Sequence, residues 1–286
     1  MDHGASRPAQ RPEVTDVFER AAGSYDQTGV RFYGPLGRRL VDSAGLTPGM
    51  EVLDVGCGRG ACTFPAAEAV GPGGSVTGID AAHAMIEAAR RTAAELPLNN
   101  VTLAIGDAVR PDLPPESFDA VLAGLVVFLL PDPATALRSY HGLLRPGGRL
   151  AMSSFGVVDP RFFQVTDVML RFLPEPPTSI PGQGDSAFGS QERLAALVAD
   201  AGFEDVKVTD SYLDLEFADT GQWWDWLWQT AGRMILESVP EDRLPEAREA
   251  AMERMEEVRD EHGRLSIRWN VWLTNASKAQ AGPADR

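Results

Sequence analysis

The chain has 286 residues, enough for one large domain or for a core with a smaller appendage. Its formal charge of −15 argues against a nucleic-acid backbone or an anionic membrane surface as partner, because both reward clustered Lys and Arg. Apolar residues make up 44%, which is ordinary for a globular protein, and no apolar run reaches the roughly 18 residues of a spanning helix. The opening stretch MDHGASRPAQRPE has no apolar core of the kind a secretory signal carries, so the chain is expected to be cytoplasmic. Two cysteines, Cys57 and Cys62, are too few for a disulfide framework. Their spacing, with no His pair nearby, does not make a zinc site, and no metal is expected.

In chain order, residues 1–12 are polar and Pro-containing and are expected to be disordered. VTDVFERAAGSYD reads as a short helix ending near Gly23, and PLGRRLVDSAG as a second helix stopped by Gly45. Strands and helices then alternate. EVLDV (51–55) is a strand and 61–70 a helix; SVTGID (75–80) is a strand and AAHAMIEAARRTAAEL a helix. VTLAIGD (101–107) and FDAVLAGL (118–125) are strands, PATALRSYHGLL is a helix, RPGG is a turn, and RLAMSSF (149–155) is a fifth strand. This alternation implies a parallel sheet with helices on both faces. The pattern breaks after Phe155. FFQVTDVMLRFLP (162–174) is an insertion, and the Pro- and Gly-rich 174–190 reads as a mobile loop. QERLAALVADAGF is a helix and DVKVTDSYLDLEF a sixth strand, expected to be bent. Two helical stretches follow, 220–238 and 241–262. RLSIRWNVWLT (264–274) alternates like a final strand, and the tail after it is expected to fray.

The informative stretch is EVLDVGCGRGAC (51–62), with Gly56, Gly58 and Gly60 directly after a buried strand. Glycine is costly in regular structure and is used where φ is positive or where something approaches the backbone closely. Two ligand types fit a strand, a Gly-rich turn and a helix: a dinucleotide and S-adenosylmethionine. The dinucleotide turn is G-x-G-x-x-G; here the spacing is G-x-G-x-G. Asp80 ends the second strand, where ribose hydroxyls would lie in either case. Asp107, after the third strand, is placed to accept from an adenine amino group at the carboxyl edge of the sheet.

At these residues the chain resembles the class I S-adenosylmethionine-dependent methyltransferases, and within them the ubiquinone/menaquinone-type small-molecule subgroup. DVGCGRG resembles their first motif, VTGID their acidic second-strand motif and GDA (106–108) their adenine-contacting motif. FDAVLAG and LLRPGGRL resemble the fourth-strand motif and the turn before the fifth strand. The resemblance implies a seven-stranded, mostly parallel, doubly wound α/β sheet of Rossmann-like type. Its last strand would be antiparallel beside the sixth, and helical lid insertions would cover the site. It divides the chain into an N-terminal helical lid (1–45), a cofactor-binding core (46–155) and an insertion with its loop (156–190). A returning helix and strand (191–218), a Trp-rich helical lid (219–263) and the final strand (264–276) follow.

The resemblance also implies roles. Gly56, Cys57 and Gly58 would present backbone to the methionine part of the cofactor. Asp80 would hold the ribose, with Ala81 and Met85 against the adenine, although Met85 at helical spacing could equally be core. Asp107 and Ala108 would contact the adenine edge. Ala123 and Gly124 would lie below the sulfonium. Tyr25 matches a tyrosine by which the N-terminal segment closes over the cofactor, or hooks the first helix in place.

Methyl transfer from a sulfonium is an in-line displacement that requires alignment and exclusion of water. A base is needed only for a weakly acidic nucleophile. After the fourth strand the sequence AGLVVFLLPD is apolar up to Pro131, unlike the motif of enzymes that methylate nucleic-acid amines. It points to an apolar small-molecule acceptor against Val126 and Phe128, with Phe155 nearby. GQWWDWLW (221–228) puts Trp224 and Trp228 on one helix face and Trp223 and Trp226 on another. One face, through Trp223 or Trp224, is expected to wall the acceptor unless both are packing. His83, His141, His262 and His3 are better explained as local, exposed, helix-end and tail residues, which leaves Tyr33 as the remaining candidate base. The expected reaction is methyl transfer to O or C of an apolar metabolite of secondary metabolism. The alternative is a methyltransferase fold used for cyclisation or for cofactor binding alone. A diphosphate acceptor stays open through Arg31, Arg38 and Arg39, and the oligomeric state is not readable.

Overall fold

A computed structural model describes residues 13–157, 159–175 and 186–280. The expectations for residues 1–12 and His3, for most of the 174–190 loop and for the last six residues lie outside the described residues. The chain opens with α1 (Val14–Ala21) and α2 (Tyr33–Ala44), and Gly45 stops α2 in the left-handed region at φ 61°. The alternating core then runs β1 (Glu51–Val55), α3 (Thr63–Val70), β2 (Ser75–Asp80), α4 (His83–Glu95) and β3 (Val101–Ile105). It continues with β4 (Phe118–Gly124), α5 (Pro133–Leu143), β5 (Leu144–Phe155), α6 (Pro160–Leu170) and α7 (Gln191–Asp200). β6 (Glu204–Phe217), α8 (Thr220–Trp228), α9 (Arg233–Ser238), α10 (Leu244–Glu256) and β7 (Leu265–Ser277) complete it.

Local chemistry sets the ends of many helices. Asp132, Asp159, Ser190 and Asp219 each accept a backbone N–H in the first turn of the helix that follows, and Pro133 and Pro160 occupy first-turn positions that need no donor. The strands form one seven-stranded sheet in the order β3-β2-β1-β4-β5-β7-β6. β1 to β5 pair in parallel, and β7 runs antiparallel to both β5 and β6, as the resemblance implies. Strand alternation splits the core in two. Val52, Leu122 and Ala151 face one layer with α2, α3, α8 and α10, while Leu53, Val121 and Met152 face the other with α5 and α7. Central strands buried on both faces are what a doubly wound sheet requires.

Three expectations are corrected. Arg-Pro-Gly-Gly is not a turn before the fifth strand. Leu144 already pairs with Phe118 and Arg149 with Ala120, so residues 145–148 are a bulge within β5, bound to β4 by the Arg145–Asp119 ion pair at 2.7 Å. β3 ends at Ile105, which leaves Gly106 and Asp107 in the loop beyond it. The stretch 220–238 is two helices, broken around Thr230 and Gly232, where an added Cβ on Gly232 would meet Leu227 at 2.8 Å. Among the described residues no helix is long and apolar enough to cross a membrane.

Candidate active site

The site is built around the turn after β1. Gly56 and Gly58 have φ of 62° and 52°. A Cβ on Gly56 would meet Val126 at 2.4 Å, so the loop leaving β4 closes directly onto it. A Cβ on Gly58 would meet nothing within 4 Å, so the backbone there faces open space. The Cys57 N–H donates to the Ile79 carbonyl at 2.9 Å and ties the turn to β2. The Asp80 carboxylate then accepts from the Gly58 N–H at 2.8 Å and from the Ala82 N–H at 2.9 Å. One side chain therefore fixes the Gly-rich turn and the entry to α4 together. Burial raises the Asp80 carboxyl above its ordinary value, with the Ala82 and Gly58 N–H groups opposing and Glu19 adding to the rise.

Asp54, at the end of β1, is 1% exposed and accepts from the Thr63 hydroxyl at 2.6 Å. Burial pushes its carboxyl up to about 7, against the Thr63 hydrogen bond, with the Asp80 charge adding to the rise. Cys57 and Cys62 are free, buried thiols, and burial raises both. Among the described residues no group of three or more His, Cys, Asp or Glu could hold a metal ion.

The N-terminal segment covers this turn. Arg59 donates to the carbonyls of Tyr25 at 2.8 Å and Ala22 at 3.4 Å. The Tyr25 and Tyr33 rings stack with centroids 4.5 Å apart. Burial pushes the Tyr33 phenol up to about 12, against its hydrogen bond with Tyr25, so it keeps its proton at neutral pH. Asp26 lies between these tyrosines in sequence, at φ 59°.

A cavity of about 1050 Å³ opens above the turn. At one end lie Asp80, Ala81, Met85, Asp107 and Ala108. Gly56, Cys57, Gly58, Tyr25, Asp26 and Tyr33 follow, and Leu125, Val126, Phe128 and Phe155 give an apolar wall. Ala123, Trp223 and Trp224 do not line it. Ala123 is fully buried in the layer behind β4, and the next two residues, Gly124 and Leu125, reach the cavity because the chain turns at Leu125, φ 52°. Trp223, Trp224 and Trp226 are buried in the core, at 0%, 4% and 3% exposure. The expected tryptophan wall is therefore packing in this structure. α8 packs against both β6 and α10, and the half-buried Trp228 carries the Arg233 guanidinium over its ring. Among the described residues no histidine lines the cavity.

A model described as a methyltransferase domain matches residues 46–176. The chain is 40% identical over 241 residues to nocamycin O-methyltransferase of Saccharothrix syringae, covering 79% of this chain and 85% of that one. It is 44% identical over 173 residues to aklanonic acid methyltransferase DauC of a Streptomyces species, strain C5, covering 58% and 79%. The chain belongs to the S-adenosylmethionine-dependent methyltransferases. The fold is shared more widely: the crystal structure of the cyclase SpnF superposes with a TM-score of 0.58 at 20% identity, over 94% of each chain.

The residues present fit the methyltransferase cofactor. The open space at Gly58 admits a ligand against the backbone, and Asp80, although anchored, keeps lone pairs for ribose hydroxyls. At about 1050 Å³ the cavity lies at the upper end of the roughly 300–1,000 Å³ typical of small-ligand sites. Sequence reasoning missed Asp26, Arg59 and Leu125. Asp26 and Leu125 owe their places to positive φ angles that no local residue pattern announces, and Arg59 acts through backbone carbonyls far away in sequence.

Proposed function

We propose that this methyltransferase transfers the methyl group to an oxygen of an apolar small-molecule metabolite, and that the acceptor oxygen is acidic enough to react without a protein base. The observation that carries the reading is the cavity lining. The Gly-rich turn runs on into Leu125, Val126, Phe128 and Phe155, with no histidine among the described lining residues and with Tyr33 held as a neutral phenol. An acceptor such as a carboxylic acid, the acidic enol of a polycarbonyl compound or an acidic phenol is already ionised at neutral pH and needs only alignment and dryness. The two relatives named above, one an O-methyltransferase and one acting on aklanonic acid, support oxygen as the nucleophile. They also support a place in secondary metabolism.

On this reading the cofactor supplies an activated methyl group. Gly56, Cys57 and Gly58 bind the methionine portion through backbone, and Asp80 accepts from the ribose. Ala81, Met85, Asp107 and Ala108 bound the adenine, and Tyr25 covers it. The Phe128 and Phe155 rings, 5.3 Å apart, hold the acceptor by its apolar body.

The test supplies trideuteromethyl-labelled S-adenosylmethionine with a panel of apolar carboxylic acids, enols and phenols and follows the products by mass spectrometry. Gain of one labelled methyl on oxygen is expected. Conversion of a panel member without methyl gain would overturn the reading in favour of a cyclase, and label on carbon or nitrogen would overturn the oxygen assignment.

A further inference from the structure

Among the described residues, Asp26 is the cavity-lining carboxylate with a buried oxygen that lacks a hydrogen-bond partner. Its Oδ1 is shielded from solvent and makes no hydrogen bond. Asp54, by contrast, is matched by Thr63, and Asp80 by Gly58 and Ala82. A buried, unsatisfied carboxylate oxygen is expensive and calls for an incoming donor. The backbone at Asp26 lies at φ 59°, in the left-handed region that Asp and Asn enter more readily than other non-glycine residues. Burial raises the Asp26 carboxyl above its ordinary value, and the N–H groups of Phe32, Tyr33 and Gly34 at the start of α2 oppose that rise.

The nearest cation is already committed. Arg59 directs its guanidinium to the carbonyls of Ala22 and Tyr25, and among the described residues it forms no ion pair with Asp26. Its charge lowers the Asp26 carboxyl only at longer range. Position completes the argument. Asp80 sits on the β2–α4 side of the Gly-rich turn. α2 lies on the α3 side, close enough that a Cβ on Gly37 would strike the Ala61 carbonyl at 2.1 Å. Asp26 faces the first turn of this same helix. A donor with its ribose at Asp80 and its chain running over Gly58 brings its amino-acid head to that side.

We propose that Asp26 binds the ammonium of the donor's methionyl head, and through it couples donor binding to closure of the 22–34 segment. This rests on the cofactor placement given under Proposed function. An ammonium donating to Asp26 satisfies the orphan oxygen with a charge-assisted contact.

Calorimetry with two probes tests this: S-adenosylhomocysteine, which carries the amino-acid head, and 5′-methylthioadenosine, which lacks it. The variants are Asp26→Asn and Asp26→Gly, both compatible with a positive φ, so neither adds backbone strain. Loss of a charge-assisted contact should weaken S-adenosylhomocysteine about tenfold or more, and leave 5′-methylthioadenosine within about twofold. Hydrogen exchange across residues 22–34 of the wild type should slow with S-adenosylhomocysteine and not with 5′-methylthioadenosine. Equal losses for both probes would show that Asp26 only shapes the loop, and unchanged binding of both would show that it binds nothing; either overturns the proposal. Failure of the wild type to bind S-adenosylhomocysteine at all would instead bring down the cofactor placement, and the proposal with it.

Discussion

The Glu19 carboxylate of α1 accepts the backbone N–H of Ala84 in the first turn of α4, at 2.9 Å and across 65 residues of sequence, and it accepts the His83 N–H as well. The residue at the start of α4, Ala82, has no side chain that can cap the helix. An N-terminal helix thus supplies, from a distance, the acceptor that a helix start ordinarily finds locally. α1 is held on its other side by the ion pairs of Glu237 with Arg20 and Arg233. α1 is therefore fastened to the element that begins three residues after the ribose candidate Asp80.

Glu19→Ala should accordingly cost about 1 kcal/mol of stability, the usual value of a lost cap, and speed amide exchange at residues 83–86 and throughout α1. Glu19→Gln keeps the acceptor and loses the charge, so it should fall between. Exchange measured by mass spectrometry with unaltered rates at 83–86 in Glu19→Ala would mean that the contact is incidental.

Asp80 anchors the Gly-rich turn as well as being the proposed ribose acceptor, and the anchoring has its own consequence. Asp80→Ala strands the N–H groups of Gly58 and Ala82, so it should destabilise the ligand-free protein by about 1–3 kcal/mol, the cost of buried donors left unpaired, and also weaken S-adenosylhomocysteine. Asp80→Asn retains one oxygen acceptor and should lie between on both measures. Thermal melts alongside calorimetry separate the roles. An unchanged melting point with lost affinity would mean that the turn holds without this carboxylate.

How much of this was readable from the chain depends on whether burial alone decides an element. β1 and β2 match the expected 51–55 and 75–80 because short apolar runs bounded by glycine and turn residues have one stable use in a two-sided sheet. Arg-Pro-Gly-Gly misleads because its turn chemistry is genuine, yet pairing of Leu144 with Phe118 absorbs it as a bulge. The tryptophans of α8 show the limit most clearly. Spacing gives their faces correctly, but two apolar faces look the same in sequence whether a ligand or α10 covers them. Leu125 and Asp26 reach the cavity through left-handed backbone, which only the assembled chain imposes.

Asp54 gives the protein a pH signature. Its carboxyl titrates near 7 in the folded protein because of burial, against about 3.9 in an unfolded chain. The native state therefore holds its proton more tightly than the unfolded state does. The stability this group contributes is fully present below about pH 4 and is lost as pH rises to about 7. A shift of this size corresponds to about 4 kcal/mol. Asp54→Asn removes the titration, so in the absence of ligand its melting temperature should gain on the wild type progressively between about pH 4 and pH 7. Parallel curves for the two proteins would show that Asp54 stays ionised throughout.

The aromatic wall and the aromatic core should respond differently to truncation. Phe155 is half-buried and lines the cavity, with Phe128 at 5.3 Å and Trp269 at 5.1 Å between ring centroids. Trp223 is fully buried among core side chains and lines no part of the cavity. Trp223→Ala should therefore cost about 3–5 kcal/mol of stability and leave donor affinity normal in whatever fraction folds. Phe128→Ala and Phe155→Ala remove the proposed acceptor contacts together with some ring packing at the cavity wall. Each should raise the acceptor KM about tenfold or more, counting both lost area and the ring–ring term, with S-adenosylhomocysteine binding close to wild type and a smaller loss of melting temperature than Trp223→Ala. Melts, calorimetry and acceptor kinetics on the three variants distinguish the two classes. If Trp223→Ala instead melts normally and loses acceptor turnover, α8 must shift to open its tryptophan face in solution. If Phe128→Ala and Phe155→Ala leave KM unchanged, the acceptor lies elsewhere in the cavity.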